Sequence, residues 1–215
     1  MTDEGINDGL VRGSPKKNLK ELHFSFLSNI TAQILFTLAI KYHSNIITVL
    51  DLGGSTNVND EALQMIFSHF KFLRNLNIDS CCNITDYGIT GVSHDDRPNT
   101  HISISNLRGL KNFHSRNCYK ITDESLFESF RLIELKELDM ARCHFGMKGV
   151  AALTKNCPSI EILDLTECEN LDDDVVENIT INLHRLKTLK LNGEISVDCI
   201  TSIINLKTFF PSSRL

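Results

Sequence analysis

Leucine and its apolar equivalents recur along this chain in a comb, apolar at the first, fourth and sixth places of a six-residue string, with polar residues between the teeth. Seven passes are read: Leu19-Leu22-Phe24, Ile47-Leu50-Leu52, Leu73-Leu76-Ile78, Leu110-Phe113-Ser115, Leu135-Leu138-Met140, Ile160-Leu163-Leu165 and Leu186-Leu189-Leu191. Second teeth are 28, 26, 37, 25, 25 and 26 residues apart, so one step is long and the rest keep time. The last two teeth of each pass are two apart, the period of a strand that buries one face, so each comb predicts a short β-strand. After the strands come Asn59-Asp60, Thr85-Asp86, Thr122-Asp123 and Asp172-Asp173, followed by apolar residues at helical spacing such as Leu63, Ile66, Phe67 and Phe70. A side-chain oxygen that can cap free N–H groups, with acids in the next turn to favour the helix dipole, marks a helix start. Each unit is therefore a strand followed by a helix.

One strand and one helix cannot bury their own apolar sides, so each unit is stable only when stacked on its neighbours. Stacked strands make a parallel sheet with helices outside. Strands sit about 4.7–4.9 Å apart while helices are about 10 Å wide, so the array bends toward the strands into a curved horseshoe. The expected fold class is α/β, a solenoid of about seven repeats of 25–28 residues in one elongated domain over 19–215. The long step places an insertion at 93–105. Residues 1–18 are read as a partial first repeat or a flexible N-terminal segment: Thr2-Asp3-Glu4-Gly5-Ile6 repeats the helix start of Thr85 to Ile89, as though a strand were missing before it. The last comb, Leu206-x-x-Phe209 before Pro211, is cut short in the same way.

A cysteine stands three residues after the last tooth in four passes, at Cys81, Cys118, Cys143 and Cys168. The full string, L-x-x-L-x-[LI]-x-x-C-x-x-[IL]-[TD]-D-x-x-[LIV], runs from Leu73 to Ile89 and from Ile160 to Val176, and from Leu110 to Leu126 with Ser115 in a leucine slot. It closely resembles the cysteine-containing leucine-rich repeat of F-box/LRR proteins, and Asn156-Cys157-Pro158-Ser159-Ile160 resembles that family's helix-to-strand connector. The resemblance implies a leucine-rich repeat solenoid that recognises substrates for an SCF-type cullin ubiquitin ligase, in ubiquitin-dependent protein degradation. The helical F-box module that would hold a Skp-type adaptor and cullin is not read in the sequence, so those partners are expected only if a longer form carries an F-box. The alternative that the resemblance leaves open is an F-box-free scaffold or inhibitor that sequesters a partner protein.

Composition narrows the partners further. Lys+Arg 22 against Asp+Glu 27 gives a formal net charge of −5, with Lys16-Lys17 the single short basic cluster, so nucleic acid is not the expected partner. No apolar run reaches the roughly 18–20 residues of a membrane span, and the start lacks a secretory signal, so an intracellular protein, cytoplasmic or nuclear, is expected. Seven cysteines without such a signal point to free thiols, which makes the sequons at Asn29, Asn83 and Asn178 inert.

The outward strand positions align across a stacked sheet into columns, and these are the candidate protein-binding residues of the concave face. One column is His23, Asp51, Asn77, His114, Asp139, Asp164 and Lys190; the next is Ser25, Gly53, Asp79, Arg116, Ala141, Thr166 and Asn192. Acids outnumber bases, which predicts a target protein with a basic surface; the plain alternative is a solvated face. The insertion, with His94, Asp95, Asp96 and Arg97 at its polar centre, is a second candidate, against a reading as a plain surface loop. The cysteine ladder is read as structural, since no C-x-x-C pair offers a zinc site and the compartment disfavours disulfides. Cys82, beside it, should face the other way and be the more reactive thiol. No nucleophile, phosphate-loop or metalloprotease motif is present, so no catalytic residue, metal or cofactor is assigned and the chain is not read as an enzyme.

Overall fold

The structure, a computed structural model, describes residues 19–42, 46–92, 102–169, 171–191 and 196. Seven strands, β1 (Glu21–His23), β2 (Val49–Asp51), β3 (Asn75–Asn77), β4 (Asn112–His114), β5 (Glu137–Asp139), β6 (Ile162–Asp164) and β7 (Thr188–Lys190), pair in chain order as one parallel sheet. Between them run α1 (Ala32–Lys41), α2 (Asp60–His69), α3 (Asp86–Thr90), α4 (Asp123–Ser129), α5 (Met147–Asn156) and α6 (Asp173–Asn182). The middle tooth of each comb pairs with that of the next, from Leu22 with Leu50 through Leu76 with Phe113 to Leu163 with Leu189. The register is the one the comb predicts, because a slip of one residue would turn every leucine to water.

The long step does not disturb the sheet: Asn75 pairs directly with Asn112. His94, Asp95, Asp96 and Arg97 lie outside the described residues. The end of the stretch read as an insertion is core instead, since Ser103 and Ile104 are buried and a 3₁₀ turn over Ile104–Asn106 leads to buried Leu107. Helix α3 has five residues where α1 and α2 have ten, and Ile104 and Leu107 fill the apolar space that the missing turns leave.

Four helices start as the sequence indicates, with Asn59, Thr85, Thr122 and Asp172 accepting from an N–H of the first turn. The acid that follows the cap has a second task. Asp60 accepts the Thr85 N–H and hydroxyl of the next repeat, both at 2.7 Å, and Asp86 does the same for Thr122 at 2.8 and 2.6 Å. Asp123 takes the Gly146 N–H at 2.9 Å. These carboxylates bracket successive helix starts together. Gly149 is where the close approach requires glycine, because a Cβ there would lie 2.2 Å from Asp123 Oδ1. Met147 replaces the acid in α5, and Gly146 before it has no side chain to cap.

The cysteine ladder has an equally local cause. Each thiol is buried and donates to the carbonyl of the last tooth in the preceding repeat: Cys81 to Leu52 at 3.3 Å, and Cys118 to Ile78, Cys143 to Ser115 and Cys168 to Met140, each at 3.2 Å. Ser55 fills the same place one repeat earlier, donating to Phe24 at 2.8 Å. The position calls for a small side chain with a donor, facing a carbonyl that water cannot reach. Cys81 and Cys143 are pushed up to about 12 by burial, and all four are free thiols. Cys82 is half-buried, with its thiol on the Ser80 carbonyl at 3.4 Å. Ser115 is the misfit of the comb: it is fully buried in a leucine slot and its hydroxyl has no hydrogen-bond partner.

Candidate functional site: the concave face

The three-residue strands bury their middle residue and turn both flanking residues to the concave side. The pairing register therefore stacks His23, Asp51, Asn77, His114, Asp139, Asp164 and Lys190 in one line. Ser25, Gly53, Asp79, Arg116, Ala141 and Thr166 continue it on the next line, and Asn192 lies outside the described residues. The same alternation makes a third line that the sequence reading passed over: Glu21, Val49, Asn75, Asn112, Glu137, Ile162 and Thr188.

The acids and the asparagine of the line from His23 to Lys190 are not simply solvated. Asp51, Asn77, Asp139 and Asp164 each turn a side-chain oxygen onto the N–H two residues on, at Gly53, Asp79, Ala141 and Thr166, at 2.8–3.1 Å. Aspartate and asparagine are suited to this because their short side chains close such a turn on their own backbone. His114 cannot do so, and the Arg116 N–H goes instead to Asp79 of the preceding repeat at 2.7 Å.

Charge then divides the face. Arg116 reaches across two strands to Asp139 at 2.9 Å and Asp164 at 3.1 Å, and Lys190 meets Asp164 at 3.0 Å from the other side. Asp164 is thereby covered, its side chain 4% exposed, which corrects its reading as an open contact residue. Burial pushes its carboxyl up, yet the bonds from Thr166 and Lys190 outweigh this and hold it below the ordinary value. Asp79 goes the other way, raised by burial against the pull of the Arg116 N–H. Over β1 to β5 the acids Glu21, Asp51 and Glu137 form ion pairs with histidines only, among the described residues: His23 is 3.5 Å from Glu21 and 3.6 Å from Asp51, and His114 is 3.3 Å from Glu137. A shallow hollow of about 180 Å³ lies here, walled by His23, Asp51, Asn75, Asn77, Asn112 and His114. Among the described residues no group of three or more His, Cys, Asp or Glu is placed to hold a metal ion, and no helix is long and apolar enough to cross a membrane.

A family model described as Leucine Rich repeat matches residues 134–153, from the β5 comb into α5. F-box protein SKIP1 of Arabidopsis thaliana is 29% identical over 154 residues, which is 66% of this chain and 49% of that protein. The repeats are leucine-rich repeats, similar in part to an F-box protein. The chain spans about half the length, 49%, of that curated relative. Among solved structures, an internalin (inlF) of Listeria monocytogenes aligns over 87% of this chain and 46% of its own, with TM-score 0.56 and 17% identity. Internalin C2 of the same organism aligns over 94% and 80%, with TM-score 0.50 and 14% identity. At such identities the internalins establish the repeat fold alone.

The repeat array also sorts charge between its two rims. Among the described residues the six helices run the same way, so the acidic first turns of four of them, with Asp60, Asp86, Asp123 and Asp173, gather on one rim. On the other rim the residue after the first tooth extends the backbone ladder from repeat to repeat. Those residues are Lys20, Arg74, Lys111, Lys136 and Lys187 in five repeats, with Thr48 and Glu161 in the other two. Glu161 is held by Lys187 at 2.6 Å and Lys136 at 2.9 Å, and these bonds lower its carboxyl to about 2. The formal charge of −5 therefore averages two opposed rims. Composition conceals this because the cations fall one per repeat, distant in sequence and adjacent once stacked.

Proposed function

We propose that this chain is the target-binding repeat module of an F-box/LRR protein, docking a protein with protruding lysine or arginine side chains on its concave face. In the complete protein an F-box would join the module to a Skp-type adaptor and a cullin ubiquitin ligase inside the cell, and the bond-making chemistry would belong to those partners. The observation that carries the reading is the acid surplus over β1 to β5. Arg116 and Lys190 close on Asp139 and Asp164, while Glu21, Asp51 and Glu137 stay on the open face beside histidines and amides. Such a surface steers a cationic partner and fixes its register, while the rigid sheet limits the conformational loss on binding. This role gives the chain a geometric task and no catalytic step.

Substitutions that keep the turn-closing acceptor separate recognition from folding. Asp51→Asn with Glu137→Gln removes two charges and leaves the Gly53 N–H an oxygen to meet. Cross-linking capture from cells, read by mass spectrometry against the parent chain, should show the bound target fall by roughly tenfold in the double variant. Undiminished capture of the same target would exclude the concave face. Recovery of a Skp-type adaptor by the full-length gene product tests the ligase link separately.

A further inference from the structure

We propose that the basic rim over the second to fourth repeats is a second docking surface, and that it takes an acidic segment of a partner protein in which apolar side chains alternate with aspartate or glutamate. A cleft of about 770 Å³ opens there between the C-terminal ends of α2, α3 and α4 and the 3₁₀ turn. Lys71, Arg108 and Arg131 converge on it, with Thr90, Ser103 and Asn106 as hydroxyl and amide neighbours. Among the described residues Glu128 is the one acid of this wall, and neither Arg108 nor Arg131 has an ion-pair partner. Lys71 gives one hydrogen bond, to the Phe67 carbonyl at 2.6 Å, its pKa is lowered by partial burial, and among the described residues it has no counter-ion.

The cleft does not stand alone. Arg74 and Lys111 continue the positive track along the strand starts. Phe72 and Ile133, 50% and 67% exposed, occupy the turns on either side. Cations with apolar side chains between them fit a segment that carries both kinds of group, since the carboxylates find guanidinium forks while the apolar residues cover Phe72 and Ile133. A nucleic acid fits less well. Among the described residues no aromatic ring lines the cleft to stack a base, and the opposite rim repels an extended polyanion.

The test uses the whole 215-residue chain and fluorescent synthetic peptides. One peptide alternates Asp and Glu with Leu and Phe, a twin replaces the acids by their amides, and a single-stranded oligonucleotide of equal charge is the third probe. Fluorescence anisotropy should show the acidic peptide binding at least roughly tenfold more tightly than its amide twin, with affinity falling as salt is raised. Arg108→Glu with Arg131→Glu should weaken binding by roughly tenfold, and Lys148→Glu on the opposite rim should change it by less than about twofold. If the reversal disturbs the circular dichroism spectrum, Arg108→Gln with Arg131→Gln replaces it, with a loss of roughly threefold or more expected. Equal binding by the amide twin, unchanged affinity in a folded rim variant, or tighter binding of the oligonucleotide would each overturn the proposal.

Discussion

Truncating Asp86 to alanine tests the bracket between repeats, because that carboxylate joins the third unit to the fourth. It accepts the Thr122 N–H at 2.8 Å and the Thr122 hydroxyl at 2.6 Å. Hydrogen bonds to a charged acceptor contribute about 1.5–3 kcal/mol each, and a first-turn acid adds about 0.3–1 kcal/mol through the helix dipole. Thr122 is half-buried, so water recovers part of what is lost, and the expected destabilisation is about 2–3 kcal/mol. Asp123→Ala removes a single bond, to the Gly146 N–H at 2.9 Å, and should cost about half as much, near 1–1.5 kcal/mol. Both variants lose the same dipole contribution, so their difference isolates the second bond. Urea unfolding followed by circular dichroism supplies both values at constant m, while a lowered m in Asp86→Ala would mean that the seam between β3–α3 and β4–α4 opens separately. Equal costs in the two variants, or a cost below about 0.5 kcal/mol for Asp86→Ala, would refute the bracket.

Iodoacetamide added to the native protein at mildly alkaline pH should alkylate Cys82 well before the ladder thiols, since Cys81 and Cys143 stand near 12 and only the thiolate reacts; peptide mass spectrometry that finds Cys81 labelled as fast as Cys82 contradicts their burial. Ser115→Ala should raise stability by about 1 kcal/mol, because it removes a buried hydroxyl that has no partner; thermal unfolding that shows a loss would mean the hydroxyl is satisfied in solution. Asp164→Asn should cost about 1–2 kcal/mol at neutral pH, discounted for the partly exposed Arg116 and Lys190. The folded carboxyl lies below its ordinary 3.8, so its contribution is complete above that value and fades as pH falls through the lower folded one; unfolding free energies of variant and parent should therefore converge on acidification. A gap that stays constant down to about pH 2 would be the contrary result. Leu163→Ala, at a fully buried middle tooth, should cost about 2–5 kcal/mol by calorimetry, and a cost below about 1 kcal/mol would place that tooth outside the packed core.

The comb was legible because burial on one face of a three-residue strand is written directly in spacing. Leu50, Leu76 and Leu138 could point nowhere else, and their register then fixed which side chains share a line on the face. Helix starts were legible for a similar reason, as Asn59, Thr85, Thr122 and Asp172 act on N–H groups within their own turn. What escaped lies between repeats. Nothing in the order Thr-Asp tells that Asp86 serves a threonine 36 residues on, nor that Asp51 and Asp164 close a turn while looking outward. The rim cations escaped because their clustering exists only after stacking, and Ser115 because a serine in a leucine slot reads as a tolerated exception until its empty surroundings are seen.

The two surfaces should therefore tolerate change to different degrees. An aspartate of the line from His23 to Lys190 faces the concave side and also accepts a backbone N–H, so replacing it with a residue that lacks the acceptor costs about 1–3 kcal/mol of folding before any target is involved. Asparagine at position 77 shows what that line can accept, a neutral side chain that keeps the oxygen. A cation on the rim has a lighter structural duty: near a helix C-terminus its loss costs about 0.3–1 kcal/mol, well under what would open the stack. Arg108 and Arg131, which close no ion pair among the described residues, are less constrained still. The concave lines consequently vary charge within a fixed acceptor pattern, whereas the rim over the second to fourth repeats is free to be tuned to a ligand, and it is the rim where a reversal of charge would remove a partner and leave the array standing.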